Sequence, residues 1–260
     1  QEETQLVPLR TQSPNGGSFI HMGKTGGSTL SVLLRNGCHS FMPHPCRADI
    51  PNETMASKVI ESYYHVPDFG LLRESHHDFH VITCRDPYDR TISAFAFEHI
   101  RNRYARNETI DSNKEIEYEW AFSCFPTLQA FVDLLGEDST NFNYPYKRYM
   151  VVNDSCPDLA RAAFHGRVRL YHHLYFSFQR ILEFLPTPDL QAIYATRQEH
   201  LWMDWKAVNR ALGDKIVVIP DHDTDLRNTT ILEQTYQQPV TRDLDSRGRF
   251  LLCHALEAEY

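Results

Sequence analysis

Ser18 to Leu30 reads SFIHMGKTGGSTL, and Val81 to Phe95 reads VITCRDPYDRTISAF. The first string opens with apolar and β-prone residues, Ser18 to Met22, breaks at a Gly, Lys and Gly-rich turn, and resumes as an apolar-periodic segment through Leu30, Leu33 and Leu34. That order predicts strand, tight loop and helix, whose loop amides and helix start form a positive concavity suited to phosphate or sulfate. The second string repeats the plan. Val81 to Cys84 has the composition of a buried strand, Asp86 can cap a helix, and Pro87 stands where a first helical residue tolerates proline. Arg85 is thereby expected at the strand's carboxyl end, where ligands bind in open α/β sheets. Ser93 follows about two helical turns later and can offer a hydroxyl to the same anion.

The nucleotide-binding loop of ATP and GTP enzymes places a glycine, then four residues, ahead of Gly-Lys-Ser/Thr. Counted back from Gly23-Lys24-Thr25, that glycine position holds Ser18, and Gly17 misses it by one. Phe19 to Met22 would have to wrap a phosphate, yet their composition suits a strand interior. The lysine therefore begins a compact loop of a different register. A Gly-rich turn with no ligand is the plain alternative for the first string alone, and pairing with the arginine string weakens it.

The pair resembles the two cofactor motifs of sulfotransferases that use 3′-phosphoadenosine 5′-phosphosulfate (PAPS), in particular the Golgi carbohydrate branch containing the heparan sulfate 2-O- and 6-O-sulfotransferases. In that family a Lys-Thr-Gly-Gly-Thr-like loop holds the 5′-phosphosulfate, matched by Lys24, Thr25, Gly26, Gly27, Ser28 and Thr29. An Arg-Asp-Pro-x-x-Arg-x-x-Ser string holds the 3′-phosphate, matched by Arg85, Asp86, Pro87, Arg90 and Ser93. A histidine in a short aromatic segment upstream of the arginine strand is the family's base, and SYYHVPDFGLL at 62–72 offers His65 for that position. The likeness covers the first hundred or so residues well and the remainder only in general character. It implies an α/β, P-loop-like three-layer fold with a central, mostly parallel sheet flanked by helices. It also implies an enzyme that moves a sulfuryl group from PAPS to a hydroxyl of a glycan or polysaccharide, without a metal. Residues 1–17 are expected to be the remnant of an N-terminal stem and 18–260 a single sulfotransferase domain.

Composition agrees. A chain of 260 residues can bury one sizeable core, and 42% hydrophobic with 23% charged residues are the fractions of an ordinary globular protein. No run of eighteen apolar residues occurs in the sequence, and the chain begins at Gln1. A lumenal domain is expected, cut from a type II membrane protein of the Golgi whose anchor lies outside this chain. Four Asn-x-Ser/Thr sequons, at Asn52, Asn107, Asn153 and Asn228, point to the secretory route, against about one or two expected by chance. Six cysteines suit an oxidising lumen; Cys38 with Cys46 and Cys124 with Cys156 are the preferred bridges, and Cys84 is expected to remain a free thiol inside its strand.

The fourteen histidines do not form a metal motif: there is no His-Glu-x-x-His and no Cys-x-x-Cys. Cys38, His39, His44 and Cys46 are the densest group, ranking as zinc ligands behind a disulfide or plain loop residues. His76 and His77 stay in reserve for acid–base work. A formal net charge of −8 opposes anionic ligands at long range, so binding must rest on local cations and oriented amides. Arg101, Arg103 and Arg106 could line a groove for an acidic glycan or simply form a solvated helix end, and Lys147-Arg148 and His165, Arg167 and Arg169 are equally ambiguous. Nothing resembles the extended basic face of a nucleic-acid binder.

Elsewhere, residues 36–56 read as a long loop and 107–119 as an acidic, exposed excursion. Helices are predicted over 127–135, 157–164, 174–185, 190–212 and 246–260, with a short strand at 215–219. Rival classes are a nucleotide kinase on a related core and a catalytically silent glycan-binding relative.

Overall fold

A computed structural model describes residues 16–27, 30, 60–64, 77–105, 112–136, 155–165, 173–174, 178, 181–182, 185, 192–212 and 242–257. Four strands, β1 (Gly17–Ile20), β2 (Ile60–Tyr64), β3 (Phe79–Cys84) and β4 (Ala192–Arg197), form a sheet in the order β2-β1-β3-β4. All three pairings are parallel. Helices α1 (Pro87–Glu98), α2 (Ile100–Ala105), α3 (Ser112–Cys124), α4 (Leu128–Leu135), α5 (Cys156–Phe164), α6 (Leu201–Ala211) and α7 (Ser246–Ala255) accompany them. The chain is thus α/β with a parallel sheet, as the alternating sequence signals require. These elements fall into two compact units: the four strands with α6 make one, and α1–α5 with α7 make the other.

In the first unit, every residue of β1 is buried, as is β3 from Phe79 to Thr83, which is the pattern of parallel strands covered on both faces. Register pairs Phe19 with Val81 and Ile20 with Ile82. Gly17 is required there, because a Cβ would lie 2.1 Å from the Phe79 ring. The polar residues of these strands are satisfied internally: Ser18 Oγ and His80 Nδ1 share a 2.6 Å hydrogen bond.

Two sequence expectations are corrected. Residues 192–197 are strand β4 and not the start of a helix over 190–212. Ile193, Tyr194 and Thr196 are β-branched or aromatic, and pairing with β3 satisfies their backbone, so the helix begins only at Leu201, after a 3-10 turn at Gln198–His200. The acidic stretch 107–119 is helical from Ser112 onward. Tyr118, Ala121, Cys124 and Phe125 are buried at helical spacing while Glu115 and Glu119 face solvent, so the acidity there marks the outer face of a packed helix, not an exposed excursion.

In the second unit four helix starts are capped, the one at Asp86 as expected. Asp86, Thr127, Ser155 and Asp245 each accept a backbone N–H from the first turn of α1, α4, α5 and α7. Its core gathers Phe95, Phe125 and Phe131, with ring centroids 5.1 Å apart for Phe95–Phe131 and 5.3 Å for Phe125–Phe131. Cys124, ending α3, is joined by a disulfide to Cys156, starting α5. Cys84 is a free thiol, as expected, and α7 is helical to Ala255. No helix of the described residues is long and apolar enough to cross a membrane.

Candidate anion-binding site

Sheet order decides where a ligand can sit. The chain leaves β1 toward β2 on one side and returns to β3 on the other, so the strand order reverses between β1 and β3. In an open parallel sheet the crevice at the carboxyl ends of such a pair is the binding position. The Lys24 loop follows the carboxyl end of β1, and Arg85 follows that of β3. Arg85 reaches across the gap, its Nη1 donating to the Lys24 carbonyl at 3.5 Å. The two strings singled out in the sequence therefore meet at the switch point.

The loop has an unusual backbone. Gly26 has φ +77°, the left-handed region open to glycine, and Lys24 adopts φ +68° as the one non-glycine residue with positive φ among those described. Left-handed residues in a short loop are the backbone feature from which anion-binding nests of amides are built. Gly27 begins helical backbone, and a Cβ on it would meet the buried His21 ring at 2.1 Å. Leu30 is helical and fully buried.

Thr25 anchors the loop. Its Oγ1 donates to the Met22 carbonyl at 2.7 Å and shares a 2.6 Å hydrogen bond with Thr83 Oγ1, both threonines being fully buried. Its side chain is thus turned into the sheet, tying the loop after β1 to the end of β3. Sequence reading missed this partnership. Thr83 lies inside the second string, but a contact between strands leaves no periodic signal.

Around Arg85 the charges are organised. Burial, aided by the Asp204 and Glu199 carboxylates, pushes the Cys84 thiol up to about 11, so it stays neutral beside the site. Arg197, in register with Cys84, donates from Nε and Nη2 to Asp204 at 2.8 and 2.7 Å. Burial works against the Asp204 charge, yet hydrogen bonds from the Arg197 side chain and backbone hold its carboxyl below the usual range. That carboxylate is thereby occupied by Arg197.

The remaining predicted residues are distributed as follows. Ser28, Thr29, His65 and His76 lie outside the described residues; Tyr64, which precedes His65 in sequence, ends β2 in register with Ile20. His77 is buried just before the amino end of β3, the opposite end from Arg85. Ser93 is a buried residue of α1 in the second unit. Arg90 is also in α1, and its guanidinium donates to the carbonyls of His173 at 2.8 Å and Leu174 at 3.3 Å, holding that segment. Arg103 pairs with the buried Glu98, and Arg101 lies 4.6 Å over the Phe122 ring, so both have packing roles. Cys38, Cys46, Arg106, Lys147, Arg148, Arg167, Arg169, the sequons and the 215–219 strand lie outside the described residues. No group of three or more potential metal ligands occurs among the described residues. No protein-family model, curated protein or solved structure matches this chain.

Proposed function

We propose that this chain is a PAPS-dependent sulfotransferase that moves a sulfuryl group to a hydroxyl of a glycan or polysaccharide, on a P-loop-like three-layer fold whose domain runs from 18 to 260. The observation that carries the reading is the meeting of the Lys24 loop and Arg85 at the carboxyl ends of adjacent parallel strands, where the strand order reverses. A lysine and an arginine with a nest of amides between them suit a donor that carries anionic groups at two places.

In this reading the loop amides from Lys24 to Gly27, with the hydroxyls of Ser28 and Thr29, hold the 5′-phosphosulfate, and Thr25 serves by fixing the loop. Arg85 takes the 3′-phosphate; the part given to Ser93 rests on the family resemblance. An acceptor hydroxyl is a poor nucleophile near neutral pH, so a neutral imidazole must take its proton as attack develops. His65 has that role. The acceptor oxygen bonds to sulfur as the bond from sulfur to the bridging phosphate oxygen breaks in line, the proton passing to His65. Lys24 neutralises the charge that grows on the departing bridge oxygen, leaving adenosine 3′,5′-bisphosphate. No step in this scheme calls on a metal. A Golgi lumenal setting, with the anchor outside this chain, follows from the same resemblance and from the four sequons.

Transfer of labelled sulfate from PAPS to a panel of glycans tests the reading. His65→Ala is expected to lower turnover at least about a hundredfold while sparing nucleotide binding. Arg85→Ala should weaken adenosine 3′,5′-bisphosphate far more than adenosine 5′-phosphate. Equal losses for the two nucleotides would remove Arg85 from the 3′-phosphate, and wild-type protein that transfers no sulfate to any glycan while still binding the nucleotide would leave a silent glycan-binding relative.

A further inference from the structure

Gln198 opens the 3-10 turn after β4, one residue beyond Arg197, which stands in register with Cys84. Arg85 and Gln198 therefore leave neighbouring strands at the same level. The Gln198 side chain turns back over the loop that follows β1: a Cβ on Gly26 would lie 3.1 Å from its Cγ, 3.5 Å from its Cβ and 3.6 Å from its Cδ. Its carboxamide thus ends beside the left-handed turn that the Lys24 loop forms. There the Oε1 atom is buried and has no hydrogen-bond partner.

A buried carboxamide oxygen without a partner is unfavourable in a folded protein and calls for a physical reason. Three other buried atoms share that condition among the described residues, and all belong to aromatic side chains: Trp120 Nε1, Tyr194 Oη and Trp205 Nε1. Gln198 alone of the four is packed on the Lys24 loop of the candidate anion site. Half a turn about its last torsion exchanges oxygen for NH2 in the same space, so the group can offer a donor where the oxygen now stands. Beside a loop read as an anion site, the donor orientation is the one an anionic ligand selects.

We infer that the Gln198 carboxamide is a ligand-binding group, donating an Nε2 hydrogen to an anionic oxygen of the phosphate or phosphosulfate held by the Lys24 loop. The inference rests on the reading of that loop as the 5′ site of the sulfate donor. Its chemistry also accounts for a neutral residue at this place. Glu199 is the next residue, and the Asp204 carboxylate is engaged by Arg197; a further carboxylate at 198 would face the anion directly.

Calorimetric titration of the wild-type chain and two variants with adenosine 3′,5′-bisphosphate and with adenosine 5′-phosphate tests this. Gln198→Met keeps the length and the packing on Gly26 but removes the donor, and is expected to weaken both nucleotides by about tenfold or more. Gln198→Glu keeps the shape but replaces the donor with a charge of the wrong sign, and should weaken both by about a hundredfold. Gln198→Met, which removes the unpaired buried oxygen, should melt no lower than the wild type, so that its loss of affinity is not a loss of fold. Wild-type affinity in the two variants, or losses that only follow a lowered melting temperature, would make Gln198 a packing residue and overturn the inference while leaving the sulfotransferase reading standing. Wild-type protein that binds neither nucleotide would instead overturn the donor-site reading, and this inference with it.

Discussion

At the scale of single residues, Lys24 carries two demands that conflict. Its side chain is the proposed cation of the candidate site, whereas its backbone stands at φ +68°, where a β-carbon clashes with its own peptide group. Strain of this kind costs about 1–3 kcal/mol and persists where the surrounding structure fixes it. Thr25 supplies that fixation through Met22 and Thr83. Lys24→Gly should therefore raise stability by about 1 kcal/mol, the relief of strain exceeding the entropy of an added glycine, while lowering sulfate transfer by about a hundredfold. Lys24→Ala should lose transfer to the same degree with no gain in stability, since its β-carbon remains. Thermal melts of the two variants decide the matter; equal melting temperatures would show that the left-handed turn is not strained. The lysine was legible in the sequence because glycines surround it. Gln198 was not, because its partner Gly26 is remote along the chain and nothing in the string TRQEH distinguishes a residue that folds back over a loop.

Between elements, the junction of α1, α2 and α3 shows how burial sets a pH response. His99 separates α1 from α2, its backbone N–H returning to the Phe95 carbonyl at 3.0 Å. Its Nε2 donates to the Phe125 carbonyl, just after α3, at 3.4 Å, and its Nδ1 accepts the Arg101 amide at 3.3 Å. Those two contacts match the neutral ring, one nitrogen donating and the other accepting. Burial lowers the imidazole from 6.5 to about 4; the Phe125 contact works the other way, and Arg101 adds to the depression. Between those two values the unfolded chain binds a proton that the folded chain refuses. The stabilisation from keeping His99 neutral is complete above about pH 6.5 and is lost progressively as pH falls toward about 4, to a total of about 3 kcal/mol. Urea unfolding at pH 7 and pH 5 should therefore show a smaller pH-dependent loss for His99→Gln than for the wild type. Identical pH slopes for both would mean that the histidine is not held neutral. Element ends of this kind were readable in part: Asp86 was read as a cap, whereas Thr127, Ser155 and Asp245 have the side chains that caps require but emerge as caps only from the structure. Residues 192–197 misled because helix-compatible residues follow without a break, and the strand owes its form to pairing with β3, which no local window contains.

Across the whole molecule, the parallel sheet and its order matter more than composition. Two strings of ordinary residues become a candidate site only because β1 and β3 are neighbours while β2 lies on the far side of β1, an arrangement that is invisible until the strands pair. The same order bears on the rival kinase reading. In nucleoside triphosphate enzymes the hydroxyl after the loop lysine binds magnesium. Here that hydroxyl is Thr25 Oγ1, buried and hydrogen-bonded to Met22 and Thr83. Phe19 and Ile20, which a standard loop would use to wrap a phosphate, are buried strand residues paired with Val81 and Ile82. The chain should accordingly prefer adenosine 3′,5′-bisphosphate to ATP with magnesium. Because a ligand stabilises the state that binds it, a hundredfold excess of bisphosphate over its Kd should add about 2.7 kcal/mol to the free energy of unfolding, whereas ATP with magnesium at the same concentration should add much less. The net charge of −8 makes ionic strength part of this test: long-range repulsion of a nucleotide is screened at about 0.15 M salt, while contacts with Lys24 and Arg85 at hydrogen-bond distance are not. The bisphosphate shift should therefore survive at that salt. A larger shift with ATP and magnesium would move the chain to the kinase class, and no shift with the bisphosphate would remove the sulfate donor from the Lys24 loop.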